Sequence, residues 1–379
     1  MTGLRLACAN AAGTVAGKLS VAFGRGRGEA LHGRVLLALH PRALSELAVG
    51  RDIVLVSGTN GKTTTTAFLA HQLTVASGEQ VSTSRYGANL ASGIADALSR
   101  QPRHRLAVLE CDELFLPEVA EALQPRLIVL LNVSRDQLHR TGEVRKVALR
   151  WHEALGKTAA TVIIDRDDPF LEFAASAASN VVRVGFGGRR HPDGGACPSC
   201  GALLEWNDGD YRCGCGLGTT PPDVRAEAGL TGPQRSAVLA LKAVQSLGYL
   251  VADAEQRRAI ADAPDRVSQY RIADRVVTTR LAKNPESWRT ALAAVRASTV
   301  VLAVNARGID GRDTSWLWDV DYRPLLGRRV VCTGDRRLDV AYRLHVQGLP
   351  VEIAESVAAA VVGVSEPVEA IASYTAYQD

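Results

Sequence analysis

Residues 53–66 read Ile53-Val-Leu-Val-Ser-Gly-Thr-Asn-Gly-Lys-Thr-Thr-Thr-Thr66, a β-branched run that ends at Gly58 and passes into a helix-like run after Thr63. A strand feeding a glycine turn that opens a helix is the architecture of a phosphate cradle. Backbone N–H groups and the positive helix terminus face the phosphates, a lysine adds a point charge, and a hydroxyl ligates Mg²⁺. Gly58, Thr59, Asn60, Gly61, Lys62, Thr63 and Thr64 are therefore the expected nucleotide-binding residues, with Lys62 on the phosphates and Thr63 on the metal. Gly58 and Gly61 stand only three apart, closer than in the general G-x-x-x-x-G-K-[ST] pattern. The alternative is a Gly/Thr-rich turn without a ligand, and the strand–loop–helix context argues against it. Lys62 and Thr63 are expected to face ligand and not core, so replacing Lys62 should leave unfolding nearly unchanged.

Outward from this loop, strand-like apolar runs at 53–56, 106–110, 127–132, 161–165 and 181–186 alternate with helix-length segments, which predicts a parallel, helix-covered sheet. Composition then shifts. Residues 187–222 are rich in Gly, Cys and Pro, and such a segment needs a staple because it cannot bury a core. Cys197-x-x-Cys200 and Cys213-x-Cys215 supply one: thiolate pairs on two tight turns close a tetrahedral shell around zinc, with Trp206 and Tyr211 as filling. Iron–sulfur ligation and free thiols are the alternatives. Helical periodicity returns at 233–249. After Pro264 a second α/β pattern begins, with strands at 276–279, 300–304, 330–333 and near Val351, and helices around 286–297 and 336–347. The expected organisation is α/β throughout. An N-terminal helical segment (1–50) packs on a central ATP-binding domain (51–265, with the ribbon inserted at about 190–220), followed by a Rossmann-like C-terminal domain (266–379).

Leu106 to Glu113 form an apolar strand ending in three carboxylates, Glu110, Asp112 and Glu113. Acids at the C-terminal end of a parallel strand sit at the mouth of the ligand crevice, and hard Mg²⁺ needs such oxygens beside a triphosphate. Glu110 is the expected metal ligand, with Asp112 or Glu113 assisting through water; a solvated strand end is the alternative. After another buried run come Asn132, Asp136, Gln137, His139 and Arg140. The loop from Asn305 to Asp319 places Trp316 and Trp318 beside Asp310, Asp313 and Asp319. Aromatics beside carboxylates point to an interface, since aromatics concentrate at binding hot spots; two core tryptophans flanked by loop acids are the alternative.

With 379 residues, 46% hydrophobic and 22% charged, the chain is an ordinary globular protein of about two or three domains. A formal charge of +4 does not argue for nucleic acid. No run approaches the ~18 apolar residues of a membrane span. Residues 1–28 carry Arg5, Lys18, Arg25 and Arg27 and no acid, which suits a basic amphipathic helix lying on the protein body or near anionic lipid. The scattered cysteines at 8, 111 and 332 suit a reducing cytoplasm.

The short Gly-Thr-Asn-Gly-Lys-Thr loop with its threonine run resembles the ATP-binding loop of the Mur ligase and folylpolyglutamate synthase superfamily, which activates a carboxylate as an acyl phosphate. Several further motifs follow in order: Glu-x-Asp-Glu at 110–113, Arg-Asp-Gln-Leu-x-Arg at 135–140, the four-cysteine insert, Ala-Lys-Asn-Pro at 282–285, Asp-x-Ser-Trp-x-Trp-Asp at 313–319 and Gly-Asp-Arg at 334–336. Together they resemble the MurT family, the Mur-ligase-like subunits of lipid II isoglutaminyl synthase, across roughly residues 15–379. The resemblance implies ATP-dependent amidation of the α-carboxylate of D-glutamate in the lipid II stem peptide. The ammonia would come from GatD, a class I glutaminase subunit, on the cytoplasmic side and in contact with membrane-bound substrate.

The resemblance also implies nucleotide contacts from Asn284 and Asn305, and an aspartate supplied in trans to the GatD Cys–His pair. Asp313 is the first choice for that acid, Asp319 the second and Asp310 the third. Gln137 and His139 depart from the Mur ligase pattern. His152 falls near the position where amino-acid-adding Mur enzymes carry a carbamylated lysine. Gly232-Pro-Gln-Arg-Ser236 replaces a Tyr-Asn helix start, and Asp265-Arg266 replaces a Gly-Arg pair. Competing readings are a Mur- or folylpolyglutamate-type amino-acid ligase and a non-catalytic nucleotide-sensing scaffold.

Overall fold

A run of aliphatic residues with no polar alternation suits a strand covered on both faces. In the computed structural model, β1 (Asp52–Ser57) is such a strand, buried from Ile53 onward. The structure describes residues 2–23, 29–84, 88–136, 142–188, 190–263, 267–272, 275–307, 310, 313–364 and 367–378. The chain divides into two compact units, one of residues 1–133 and 143–264, the other of 134–142 and 265–379.

The first unit begins with helices α1 (Thr2–Ala22), α2 (Glu29–Leu39) and α3 (Ala43–Ala48) ahead of β1. It continues through α4 (Lys62–Ser77), β2 (Val81–Thr83), α5 (Ala91–Arg100), β3 (Leu106–Glu110), α6 (Leu116–Leu123), β4 (Leu127–Leu130), α7 (Val144–Leu155), β5 (Thr161–Asp165), α8 (Pro169–Ala175) and β6 (Asn180–Gly185). A small hairpin, β7 (Glu205–Asn207) and β8 (Asp210–Arg212), precedes β9 (Val224–Arg225), α9 (Gly232–Ser246) and α10 (Asp253–Ala261). Seven strands form one sheet in the order β2-β3-β1-β4-β5-β6-β9, parallel throughout. Period-2 alternation sends Val54 and Val56 to one face, against Leu69 and Leu73 of α4 and Leu239 and Val244 of α9. Ile53 and Leu55 go to the other, against Leu36, Ile94, Leu98, Trp151 and Phe170. His32 of α2 ties the N-terminal helices down, with Nδ1 2.6 Å from Asp96 of α5 and Nε2 3.0 Å from Asn10 of α1.

The second unit holds β10 (Val267–Ile272), β11 (Arg275–Leu281), α11 (Pro285–Ala294), β12 (Thr299–Ala303), β13 (Arg329–Thr333), α12 (Arg337–Val346), β14 (Glu352–Ile353), α13 (Val357–Val361), β15 (Val368–Ala372) and α14 (Tyr374–Gln378). Its sheet runs β10-β11-β15-β12-β13-β14, with only the β10–β11 pair antiparallel. A 3₁₀ turn at Ser315–Asp319 carries the two loop tryptophans, which divide in role. Trp316 is half-buried, its ring 6.0 Å from the core Trp288, whereas Trp318 is 50% exposed beside Tyr342. The expected pair of interface tryptophans is thus one anchor and one exposed ring, because Leu317 between them faces the core.

Candidate active site

The turn after β1 is shaped by two glycines and one asparagine. Gly58 lies at φ +143°, where a Cβ would come within 3.0 Å of the Asn132 carbonyl; Gly61, at φ +86°, opens α4. Thr59 N–H donates to the Asn132 carbonyl at 2.9 Å and Asn60 N–H to Asn132 Oδ1 at 2.9 Å. Asn132 Nδ2 returns a bond to the Asn60 carbonyl at 3.0 Å. Leu131 and Asn132 were expected to continue the strand, but β4 ends at Leu130, and Asn132 braces the loop instead. Ser57 Oγ and Thr65 Oγ1 are buried beside the turn with no hydrogen-bond partner among the described residues, which marks a polar site and not a packed bend. Thr63 and Thr64 sit half-buried in the first turn of α4.

Lys62 corrects an expectation. It does not stand out toward ligand: it is 8% exposed, and its Nζ donates to the Gly58 carbonyl at 2.5 Å and to Glu113 Oε2 at 2.8 Å. Burial pulls the ammonium pKa down, but Glu113, with Glu110 and Asp112 behind it, outweighs burial and raises it overall. Lys62 therefore carries a buried structural ion pair with Glu113. Glu113 is itself fixed, its carbonyl accepting from the buried Trp151 Nε1 at 2.8 Å.

Glu110, Asp112 and Glu113 are all buried at the end of β3. Glu113 is taken up by Lys62, and Asp112 Oδ1 accepts from Leu114 N–H at 3.0 Å. Among the described residues Glu110 Oε1 meets the long 3.4 Å contact from Asn89 Nδ2. Among the described residues the three acids do not converge on one point.

A second acidic strand end lies at Asp165-Arg-Asp-Asp168 after β5, and it was not among the expected site residues. Arg235 of α9 reaches Asp165 at 2.5 Å and Asp167 at 3.6 Å, with its guanidinium 4.6 Å over the Phe186 ring. These groups edge a cavity of about 130 Å³ lined by Asp167, Phe186, Gly187, Leu230 and Arg235. Burial drives the Asp165 pKa up to about 7, Arg235 pulls it back, and Asp167 adds repulsion. The available signal was positional: this run follows β5 as the Glu110 run follows β3.

The four cysteines do converge. Their sulfurs lie within 4.8 Å of one another, with Cys197–Cys215 at 3.7 Å and Cys200–Cys213 at 3.4 Å. A tetrahedron with Zn–S bonds of about 2.3 Å has edges of about 3.8 Å, so the set fits zinc. The Leu217 backbone N–H lowers the Cys215 thiol to about 6, favouring a thiolate. Trp206 and Tyr211 pack at 5.1 Å beneath the cluster's hairpin.

In the second unit, Asn284 is buried as the N-cap of α11, accepting from Ser287 N–H at 3.0 Å, and Asn305 Oδ1 accepts from Asp335 N–H at 2.9 Å. Asp310 accepts from the Thr375 N–H and hydroxyl. Asp319 pairs with Arg135 at 3.0 Å. Asp313 is exposed and accepts from Ser315 N–H at 2.8 Å. His152 stacks on Phe173 at 4.6 Å and bonds its carbonyl through Nδ1. Gln137, His139, Arg140, Asp265 and Arg266 lie outside the described residues.

A parallel sheet whose first strand feeds a braced phosphate loop, followed by a second α/β unit, defines a Mur-ligase-type chain. The Mur ligase middle domain model matches residues 56–193, and the MurT ligase C-terminal model matches residues 281–377. The fold is shared with MurF from Acinetobacter baumannii (TM-score 0.63, 17% identity, 91% of this chain and 78% of that one). It is shared also with a pseudomurein peptide ligase type C from Methanothermus fervidus (TM-score 0.62, 16% identity, 87% and 77%). The MurT subunit of lipid II isoglutaminyl synthase (glutamine-hydrolyzing) from Streptococcus pneumoniae R6 is 31% identical over 86% of this chain and 84% of its own. Its counterpart in Staphylococcus aureus N315 is 28% identical over 89% and 87%. The chain belongs to the MurT family of ligase subunits.

Proposed function

We propose that this chain is the synthetase subunit that uses ATP to phosphorylate the α-carboxylate of D-glutamate in the lipid II stem peptide. Ammonia from a GatD-type glutaminase then displaces phosphate from the acyl phosphate, leaving D-isoglutamine. The observation that carries this reading is the braced loop itself, with a buried lysine, two glycines at positive φ and Glu110 at the neighbouring strand end. In it, the backbone of residues 58–63 holds the phosphates. Lys62 shifts from the Gly58 carbonyl toward the transferring phosphoryl group while Glu113 keeps its charge. Glu110 and Thr63 would hold Mg²⁺, whose charge would offset that developing on the phosphoryl oxygens. Asn284 and Asn305 would complete the nucleotide contacts, and Cys197, Cys200, Cys213 and Cys215 would hold structural zinc. Asp313 would supply the acid of the glutaminase triad.

The amino-acid-ligase alternative loses support at His152, whose stacking on Phe173 gives it a structural task. Among the described residues no helix is long and apolar enough to cross a membrane, so the substrate's lipid would bring the enzyme to the cytoplasmic membrane face. The test is mass analysis of lipid II incubated with ATP, glutamine and the chain co-purified with its glutaminase. A loss of about one mass unit per amidated carboxylate is expected. ADP release without amidation, or addition of an amino-acid mass, would overturn the assignment.

A further inference from the structure

We propose that the outward face of α1 is a docking surface for an anionic lipid bilayer. The helix turns its small residues inward: Ala9, Gly13, Gly17 and Ser20 are buried, and a Cβ on Gly13 would lie 2.6 Å from His32 Cδ2. Helix meets helix there at close range, fixed by the Asn10–His32–Asp96 chain. Leu6 also packs inward, while the other large residues look outward. Leu4, Cys8, Ala11, Val15, Leu19 and Ala22 follow one another by three or four residues and form a single exposed stripe. Leu4 is 73% exposed, Val15 58% and Leu19 52%, with Phe23 at the helix end 75%. This inverts the pattern of a soluble surface helix, whose polar face looks outward.

Charge decides the occupant. Arg5 and Lys18 are exposed on α1, Arg25 and Arg27 follow it in sequence, and residues 1–28 hold no acid at all. An apolar stripe edged by Arg5, Lys18 and the neutral Thr14, with no acid on the helix, matches acyl chains beneath anionic headgroups. A second copy of the face would set Arg5 and Lys18 against their own kind. Since α1 is not apolar enough to cross a bilayer, it would lie in the interface plane. The inference deepens the function proposed above, because a lipid-anchored acceptor would be met at that surface.

The experiment is co-sedimentation of the full chain, complexed with its glutaminase, with phosphatidylcholine vesicles containing about a quarter phosphatidylglycerol or none. We expect binding at least about tenfold stronger to the anionic vesicles, and a Val15→Glu/Leu19→Glu variant weakened about tenfold or more. The single Lys18→Glu variant should lose the preference for anionic lipid, and all variants should keep wild-type thermal unfolding. Equal binding by the double variant, or no vesicle binding by the parent, overturns the proposal. A dimer that the double variant abolishes assigns the face to a second copy and overturns it as well. ATP-dependent amidation of lipid II in neutral detergent micelles separates the two ideas: the variants should retain it, and its absence in the parent would sink the proposed function while leaving the docking face standing.

Discussion

At the scale of single residues, two buried ion pairs make the first unit sensitive in opposite ways. Lys62 and Glu113 are both about nine-tenths buried, so neither has water to fall back on. Lys62→Ala would leave Glu113 beside Glu110 and Asp112 without its counter-charge. Breaking one partner of such a pair costs several kcal/mol, relieved in part by protonation, so we expect a stability loss of roughly 1–4 kcal/mol alongside abolished ATP-dependent amidation. The Lys62→Ala/Glu113→Ala double variant should lose less than the sum of the singles, and urea midpoints measure the difference. An unchanged midpoint for Lys62→Ala would show that the pair does not hold in solution. Asp165 behaves otherwise. The unfolded chain releases its proton near 3.8, while the folded chain keeps it up to about 7 because burial opposes the charge. Between those values the folded state binds more protons, so stability falls as pH rises and levels off above about 7. Asp165→Asn, which still accepts from Arg235, should remove on the order of 2 kcal/mol of that decline between about pH 5 and pH 7. The same slope in parent and variant would refute the assignment.

At the scale of elements, the four-cysteine insert is a staple with its own small core, Cys197, Leu204 and Tyr211. Arg145 of α7 holds it from outside, donating to the Pro198 and Ser199 carbonyls at 2.8 and 2.7 Å. A closed four-thiolate shell leaves no open position for chemistry. We expect about one zinc per chain by elemental analysis, and Cys200→Ser or chelation should expose residues 190–220 to protease; iron with visible absorbance would contradict the assignment. This element was legible because its spacing is local, and so were the phosphate loop and the strands of plain aliphatic run. The strands that escaped were those whose pattern is broken. β15 reads Val-Glu-Ala-Ile-Ala and lies at the centre of its sheet with Glu369 buried. Nothing in the sequence shows that Glu369 is satisfied by the backbone N–H groups of Arg296 and Ala297 at 2.7 and 3.0 Å. β10 shows half-exposed alternation, and β2 and β9 are too short to carry a period. The site divides likewise. Residues 58–64 are contiguous and could be read directly. The Lys62–Glu113 and Asp165–Arg235 pairs span 51 and 70 positions, and no periodicity links such residues.

At the scale of the whole molecule, the residues proposed for phosphoryl transfer belong to one compact unit and the tryptophan loop to the other. That division sets the proposed phosphate site apart from the loop proposed to meet the glutaminase, although Asn284 and Asn305 of the second unit are also proposed to reach the nucleotide. A Cys–His glutaminase pair without an orienting carboxylate has a poor base, so an acid supplied in trans would couple glutamine hydrolysis to assembly. Three aspartates compete for the role, and their surroundings rank them. Asp310 is held by Thr375, and Asp319 is neutralised by Arg135. Asp313 is exposed at the head of the Ser315–Asp319 turn, with Ser315 N–H fixing one oxygen, and Trp316 behind it is anchored on Trp288. An exposed carboxylate on an anchored turn is open to an imidazole approaching from a partner. Asp313→Asn should therefore cut glutamine-dependent amidation by about a hundredfold or more, as loss of a triad acid does. Complex formation by size exclusion, and amidation driven by ammonium chloride, should be nearly unchanged. Failure of ammonium to rescue the variant would place Asp313 in the synthetase reaction. Rescue of an Asp319→Asn variant, with Asp313→Asn fully active, would move the acid six residues along the loop, at the cost of the Arg135 pair.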